Sequence, residues 1–331
     1  MRPTPLPEDL ATEFHTSAAR DLGVSKQRLR ANDLARPFRG VRVRAAAPGQ
    51  SSSNSINIYA QARDRELTLI RALSTGLHAG QFFTHRSAAL LWEAPLPHRS
   101  APELHVGVVT PQRAPRIAGV TGHEIDPARV SLAECEGIPL TAPAHTFAML
   151  GRLQLIPLVA IGDHFARMHR AGYGRRDVGK PPLVTLAELS EVVGLGRWPG
   201  MPRLRRALEL VREDSWSPRE SATRVVLMMA GLPEPGLNID VFDRHGRFLG
   251  CIDLAYSRYK VGIEYQGEQH SERFAEDVER LERLRADGWQ MIQVTKTLSR
   301  RPTVLVSRVV AALRSQGWRD ALQPVPAAIR Q

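Results

Sequence analysis

The most regular alternation of apolar and polar positions falls in the last third of the chain. An amphipathic stretch from Ser217 to Ala230 predicts a helix. It opens with Ser-Pro-Arg-Glu, which joins a capping serine, a proline at the first helical position and a glutamate three residues after the cap. Gly231-Leu232-Pro233 ends it. Period-two runs predict strands at Leu237 to Phe242, Phe248 to Ala255 and Tyr259 to Tyr265, separated by the turns Arg244-His245-Gly246 and Ser257-Arg258. A charged helix follows from Glu272 to Ala286 and stops at Gly288, then a buried strand from Trp289 to Val294 and a helix from Pro302 to Gln316. The order α-β-β-β-α-β-α defines a compact domain over residues 204–318.

The pattern is weaker upstream. Helices are predicted near Asp64 to Gly76, Ser87 to Trp92, Ala142 to Leu150 and Pro157 to His169, with strands near Leu104 to Val109 and Gly119 to Ile125. This is a middle α+β domain over residues 63–200. Its histidines (His78, His85, His98, His105, His123, His145, His164 and His169) are scattered in sequence and read as surface or core side chains. A charge-free, Ser/Asn-rich stretch from Ala45 to Ala62 reads as a linker or loop. Ahead of it, residues 1–45 predict two short helices. Ala19, Gly23 and Leu29 have helix-turn-helix offsets, and Ser25 caps a second helix carrying Lys26, Arg28 and Arg30. Phe38 to Arg44 alternates basic and apolar residues, as the wing of a winged helix does, and adds Arg39 and Arg42.

Composition changes this picture mainly through charge. The net charge is +11, and nearly all the bases are arginine. Residues 1–204 hold 25 bases and 17 acids, whereas residues 205–318 hold 18 and 16, so the excess lies in the N-terminal two-thirds. A basic balance favours polyanionic partners, because neutralised phosphates release counterions. Cys135 and Cys251 are the only cysteines, which excludes a disulfide framework and a cysteine-based zinc site. The first residues lack an apolar signal core, and the most apolar run, Leu153 to Gly162, is about half a bilayer span. The expectation is a soluble, cytoplasmic protein with no membrane partner.

Two carboxylates stand inside otherwise apolar strands. Asp253 lies in Cys251-Ile252-Asp253-Leu254-Ala255, and Glu264 in Val261-Gly262-Ile263-Glu264-Tyr265-Gln266. An acid there is costly unless a donor or cation meets it. The short turn between the strands can bring Asp253 beside Glu264 and Gln266, which share a face. Adjacent carboxylates raise one another's pKa unless a divalent cation bridges them, and oxygen-only donors suit Mg²⁺ or Mn²⁺. The run Glu272 to Arg285 reads as a solvated helix face with i,i+4 pairs.

Glu220 on the preceding helix, Asp253, Glu264-Tyr265-Gln266 and His270 together resemble the PD-(D/E)XK restriction-endonuclease-like superfamily, in particular the very-short-patch-repair-like endonucleases. Leu281 to Val294 is similar to that family's helix and strand. The resemblance covers residues 215–318. It implies Mg²⁺-dependent phosphodiester hydrolysis on DNA, with Asp253, Glu264 and Glu220 as metal ligands and His270 taking or giving a proton. Gln266 stands where the superfamily usually carries lysine. Residues 18–44 and Ser87 to Trp92 resemble AbiEi-type antitoxins and transcriptional regulators, which implies a winged-helix DNA-binding head using Lys26, Arg28, Arg30, Arg39 and Arg42. Two functions follow: a DNA endonuclease tethered by a basic head, or a non-enzymatic DNA-binding regulator with a degenerate nuclease domain.

Overall fold

The computed structural model describes residues 4–44, 58–173, 175, 177–266 and 274–322. The chain is of mixed α+β class and divides into two compact units, residues 1–150 and 151–331. The expected break near residue 200 therefore falls inside the second unit. Among the described residues no helix is long and apolar enough to cross a membrane.

The first unit begins with strand β1 (Glu13–His15), helix α1 (Thr16–Asp21), β2 (Leu34–Ala35) and β3 (Val41–Arg44), forming a three-stranded sheet of order β1-β3-β2. Leu10, Phe14, Ala19, Val24, Leu29 and Leu34 pack as its core. Gly23 takes a left-handed backbone at the turn after α1 (φ +81°), the conformation for which glycine is suited. The second helix expected here is only a 3₁₀ turn, Arg28–Arg30. Ser25 Oγ accepts from Arg28 N at 3.1 Å, and Arg30 N and Ala31 N bond back three residues to Gln27 and Arg28, so the turn tightens and does not propagate.

The same unit continues with α2 (Ile58–Ser74), β4 (Phe82–Phe83), α3 (His85–Leu91), β5 (Leu104–Val109), β6 (Val120–Ile125), β7 (Leu132–Cys135), β8 (Ile138–Thr141) and α4 (Pro143–Met149). The five strands form a sheet of order β6-β5-β4-β8-β7, in which β5–β6 and β4–β8 run parallel. Ile70, Phe83, Leu90, Leu104, Val106 and Leu140 form its core. Strands β4, β7 and β8 span two to four residues each, too short for alternation to announce them.

The second unit opens with three helices, α5 (Leu155–Ala166), α6 (Leu186–Gly194) and α7 (Met201–Leu210). After them come α8 (Pro218–Met229), β9 (Gly236–Phe242), β10 (Phe248–Tyr256), β11 (Val261–Tyr265), α9 (Phe274–Ala286), β12 (Gln290–Val294), the short α10 (Lys296–Ser299) and α11 (Pro302–Ser315). The sheet order is β12-β11-β10-β9, antiparallel except for the parallel β11–β12 pair. One face packs Ile252, Ala255 and Val241 against Leu284 of α9. The other packs Leu254, Tyr256, Val261 and Ile263 against Leu227 of α8 and Leu305, Val309 and Leu313 of α11.

A buried ion pair fixes α8 to the helices before it. Arg224, with no exposed surface, meets Asp163 of α5 at 3.0 Å, Glu234 at 2.9 Å and the Leu210 carbonyl that ends α7 at 2.7 Å. Asp163 also accepts from Arg212 N at 2.7 Å. A buried charge pair contributes little net stability compared with apolar packing, but removing one partner strands the other. Asp163→Ala is expected to lower unfolding stability by about 3–5 kcal/mol in chemical denaturation; a loss under about 1 kcal/mol would show that Arg224 is solvated elsewhere.

Candidate active site

The site is built where the β9–β10–β11 ladder changes phase. Gly250 and Ile252 of β10 face α9, whereas Leu254 and Tyr256 face α8 and α11, so the alternation slips by one residue at Asp253. The register that pairs Cys251 with Asp240 and Leu254 with Leu237 sets Asp253 opposite Asn238. Asn238 has a left-handed backbone (φ 48°), which asparagine tolerates better than most residues. On the other side, the pairing of Leu254 with Ile263 and of Ala255 with Gly262 carries Asp253 opposite Glu264. Sequence spacing anticipates this juxtaposition, but not the phase change that delivers it.

Glu220 arrives from the first turn of α8. Ser217 caps the helix by accepting from Glu220 N at 3.2 Å. The reciprocal half of a capping box is displaced by one residue, since the Glu220 carboxylate accepts from Trp216 N (2.9 Å) and from Asn238 Nδ2 (2.8 Å). Asn238 therefore ties the phase-change position of β9 to Glu220, and its Nδ2 also donates to the Asp214 carbonyl. Arg167, buried enough to hold its pKa down, lies within electrostatic reach of Glu220 and donates to the Trp216 carbonyl.

Glu264 is 7 % exposed and is gripped by the guanidinium fork of Arg280 from α9, with Nη2 to Oε2 at 2.9 Å. That pairing raises the Arg280 pKa further above its ordinary value. Gly250 makes room for it: a Cβ there would lie 3.0 Å from Arg280 Cγ. The face read as merely solvated thus supplies the principal counter-charge of the site. The signal in sequence is weak, because Arg280 is one of many charges on α9.

Among the described residues, Asp253 forms no ion pair. It accepts from Tyr265 N at 3.0 Å. Burial, then the neighbouring carboxylates of Glu220 and Glu264, push it up to about 8, against a smaller pull from Arg280. Gln266 follows β11 directly, its backbone N bonded to the Val294 carbonyl at 3.0 Å. A cleft of about 280 Å³ between α8, α10 and α11 is lined by Arg219, Tyr265 and Lys296, with the Arg219 guanidinium 4.0 Å over the Tyr265 ring. His270 lies outside the described residues.

The structure thus brings Glu220, Asp253 and Glu264 into one electrostatic neighbourhood without drawing their oxygens to a common ligand distance. Among the described residues, the group whose ligand atoms all lie within 4.8 Å of one another is His85, His105 and His123. Those three are not scattered, contrary to the sequence expectation: neighbouring strands β5 and β6 and the β4–α3 junction bring them together.

In the first unit, the expected DNA-contacting residues separate into two groups. Lys26, Arg30 and Arg39 are exposed. Arg28 is committed to Asp33 through two bonds (2.9 and 2.7 Å), and Arg42 to the Leu29 and Val41 carbonyls (2.8 Å each). Arg28 and Arg42 thereby hold the small sheet and turn together.

The chain matches no protein-family model, and no curated protein matches it at a significant level.

Asp253 makes stability depend on pH in a definite direction. Between about pH 4 and 8 the folded protein keeps a proton that the unfolded chain has lost, so stability falls as pH rises through that window and levels off above it. Asp253→Asn keeps an acceptor for Tyr265 N and cannot titrate. In EDTA its stability relative to the parent should grow with pH by up to about 1.4 kcal/mol per unit between 4 and 8. Parallel denaturation curves across that range would remove the proton from Asp253.

Proposed function

We propose that the second unit is a divalent-cation-dependent phosphodiesterase acting on DNA, with Asp253, Glu264 and Glu220 as its acidic set. The observation that carries this reading is the placement of the buried Asp253 opposite Glu264 in the β10–β11 register and within electrostatic reach of Glu220 on α8. An all-oxygen donor set with one unbalanced acid is chemically suited to Mg²⁺ or Mn²⁺. Asp253 and Glu264 would hold the ion and Glu220 would complete its shell. When bound there, Mg²⁺ supplies Lewis-acid activation of the phosphate and a more acidic water.

The chain's own groups have separable tasks. Asp253 would give up its proton to hold the ion, so occupancy would rise with pH towards 8. Arg280 must share or release Glu264. Gln266 can orient a water but neither donates charge nor acts as a base. Arg219 and Lys296, in the cleft between α8, α10 and α11, have the charge to meet a phosphate backbone. Supercoiled plasmid incubated with Mg²⁺ or Mn²⁺ should be nicked by the parent protein, with at least a ~100-fold loss in Asp253→Ala/Glu264→Ala. No cleavage with either ion by the parent would overturn the enzyme reading.

A second reading is a non-enzymatic DNA-binding regulator. It is favoured by the Arg280 fork closing Glu264 and by glutamine at position 266. Both readings use the basic N-terminal head, residues 1–45, to hold DNA through Lys26, Arg30 and Arg39. Lys26→Ala/Arg30→Ala/Arg39→Ala should weaken duplex binding at low salt and make the slope of log K against log salt shallower by about 3. An unchanged slope would take these residues out of DNA contact.

A further inference from the structure

The first unit contains a second constellation, unrelated to the acidic site. His85 opens α3, His105 lies in β5 and His123 in β6. The parallel register sets Gly107 opposite His123 and His105 opposite Thr121, so the two strand histidines stand on a diagonal of neighbouring strands. His85 joins them from a left-handed backbone (φ 48°), an uncommon conformation for a residue other than glycine. The ring centroids of His85 and His123 are 4.0 Å apart, and those of His105 lie 5.2 and 5.3 Å from the other two. His105 Nδ1 and His123 Nε2 are 2.9 Å apart. We propose that His85, His105 and His123 form a binding site for one divalent transition-metal ion, with Zn²⁺ as the fitting case.

The surrounding groups set the tautomers such a site needs. Glu103 Oε1 lies 3.6 Å from His105 Nε2, which draws the ring proton to Nε2 and leaves the Nδ1 lone pair directed at His123. Thr84 Oγ1 donates to Met149 Sδ at 2.9 Å and lies 3.2 Å from His85 Nδ1, so it accepts the proton there and leaves Nε2 as the basic nitrogen of His85. Metal-bound histidines characteristically give their other ring N–H to such a carboxylate or oxygen. Burial holds the pKa of His105 down, and burial together with His105 pushes His123 down to about 4. Imidazole coordinates a metal ion in its neutral form.

Three imidazole nitrogens are the protein ligand set of open zinc sites, in which the fourth position is left to a water or an incoming group. An ion lies in the plane of each ring it binds. Ligation therefore fans His85 and His123 out of their stack by rotation about χ2, and the His123 proton moves from Nε2 to Nδ1. Imidazole ligands favour Zn²⁺, Co²⁺ and Ni²⁺ over Mg²⁺, so this site and the carboxylate cluster should select different ions.

The full chain, stripped with EDTA, is titrated with Zn²⁺ by calorimetry and with Co²⁺ by visible absorption. The expected result is one Zn²⁺ per chain in parent and Asp253→Ala/Glu264→Ala alike, intense tetrahedral cobalt bands, loss of both signals in His123→Gln and His85→Gln, and binding 10–100-fold weaker in Glu103→Gln. Zinc-edge X-ray absorption of the parent should show three imidazole nitrogens, which tests the site even where a variant fails to fold. Failure of the parent to bind Zn²⁺ tighter than about 10 μM, fewer than three imidazoles at the bound ion, or binding unchanged in folded His123→Gln would overturn the proposal. Loss of zinc in the carboxylate double variant alone would assign the ion to the acidic cluster instead.

Discussion

The second unit is organised around one buried carboxyl group, Asp253, set beside two others. Asp253 is placed between two carboxylates where the sheet changes phase, and the fold satisfies its neighbours rather than Asp253 itself. Glu220 is held by a backbone N–H and by Asn238, and Glu264 by the Arg280 fork. Among the described residues Asp253 has one donor, Tyr265 N, and burial with the two neighbouring carboxylates pushes its pKa up to about 8. A structural acid would be expected to have its own cation or to be replaced by an amide. Under the proposed function such an acid would exchange its proton for an ion, and perturbed groups of this kind concentrate at functional sites.

The rest of the unit makes this placement possible. The buried Arg224–Asp163 pair locks α8, and with it Glu220, to α5 and α7. The left-handed Asn238 switches the faces of β9 and reaches across to Glu220. Gly250 lets the stem of Arg280 lie on β10. The apolar contacts on both faces of the sheet then hold the two strands in a register that sets Asp253 against Glu264.

Local signals made much of this legible in advance. Periodicity and turn residues gave the α-β-β-β-α-β-α order, and acids inside apolar strands singled out Asp253 and Glu264. What local signals cannot supply is the identity of distant partners. Arg280 looks like any other charge on a solvated helix until Glu264 is placed beneath it. Arg224 looks like a surface arginine until Asp163, 61 residues earlier, is buried against it. His105 and His123 stand on the two strands of their sheet that alternation does reveal, but neither the parallel pairing of those strands nor the β4–α3 junction that carries His85 to them is written in a local signal. Asn238 did carry a local hint, since asparagine is depleted in strands. The helix expected after Ser25 was misread because capping and turn signals are alike over one turn.

The most direct measurement is the titration of Asp253 itself, read from its side-chain carboxyl carbon by NMR on protein carrying ¹³C-labelled aspartate. The account predicts a midpoint near 8 in EDTA, and ionisation below neutral pH once millimolar Mg²⁺ or Mn²⁺ is added. A midpoint in the ordinary carboxylate range, indifferent to either ion, would contradict it.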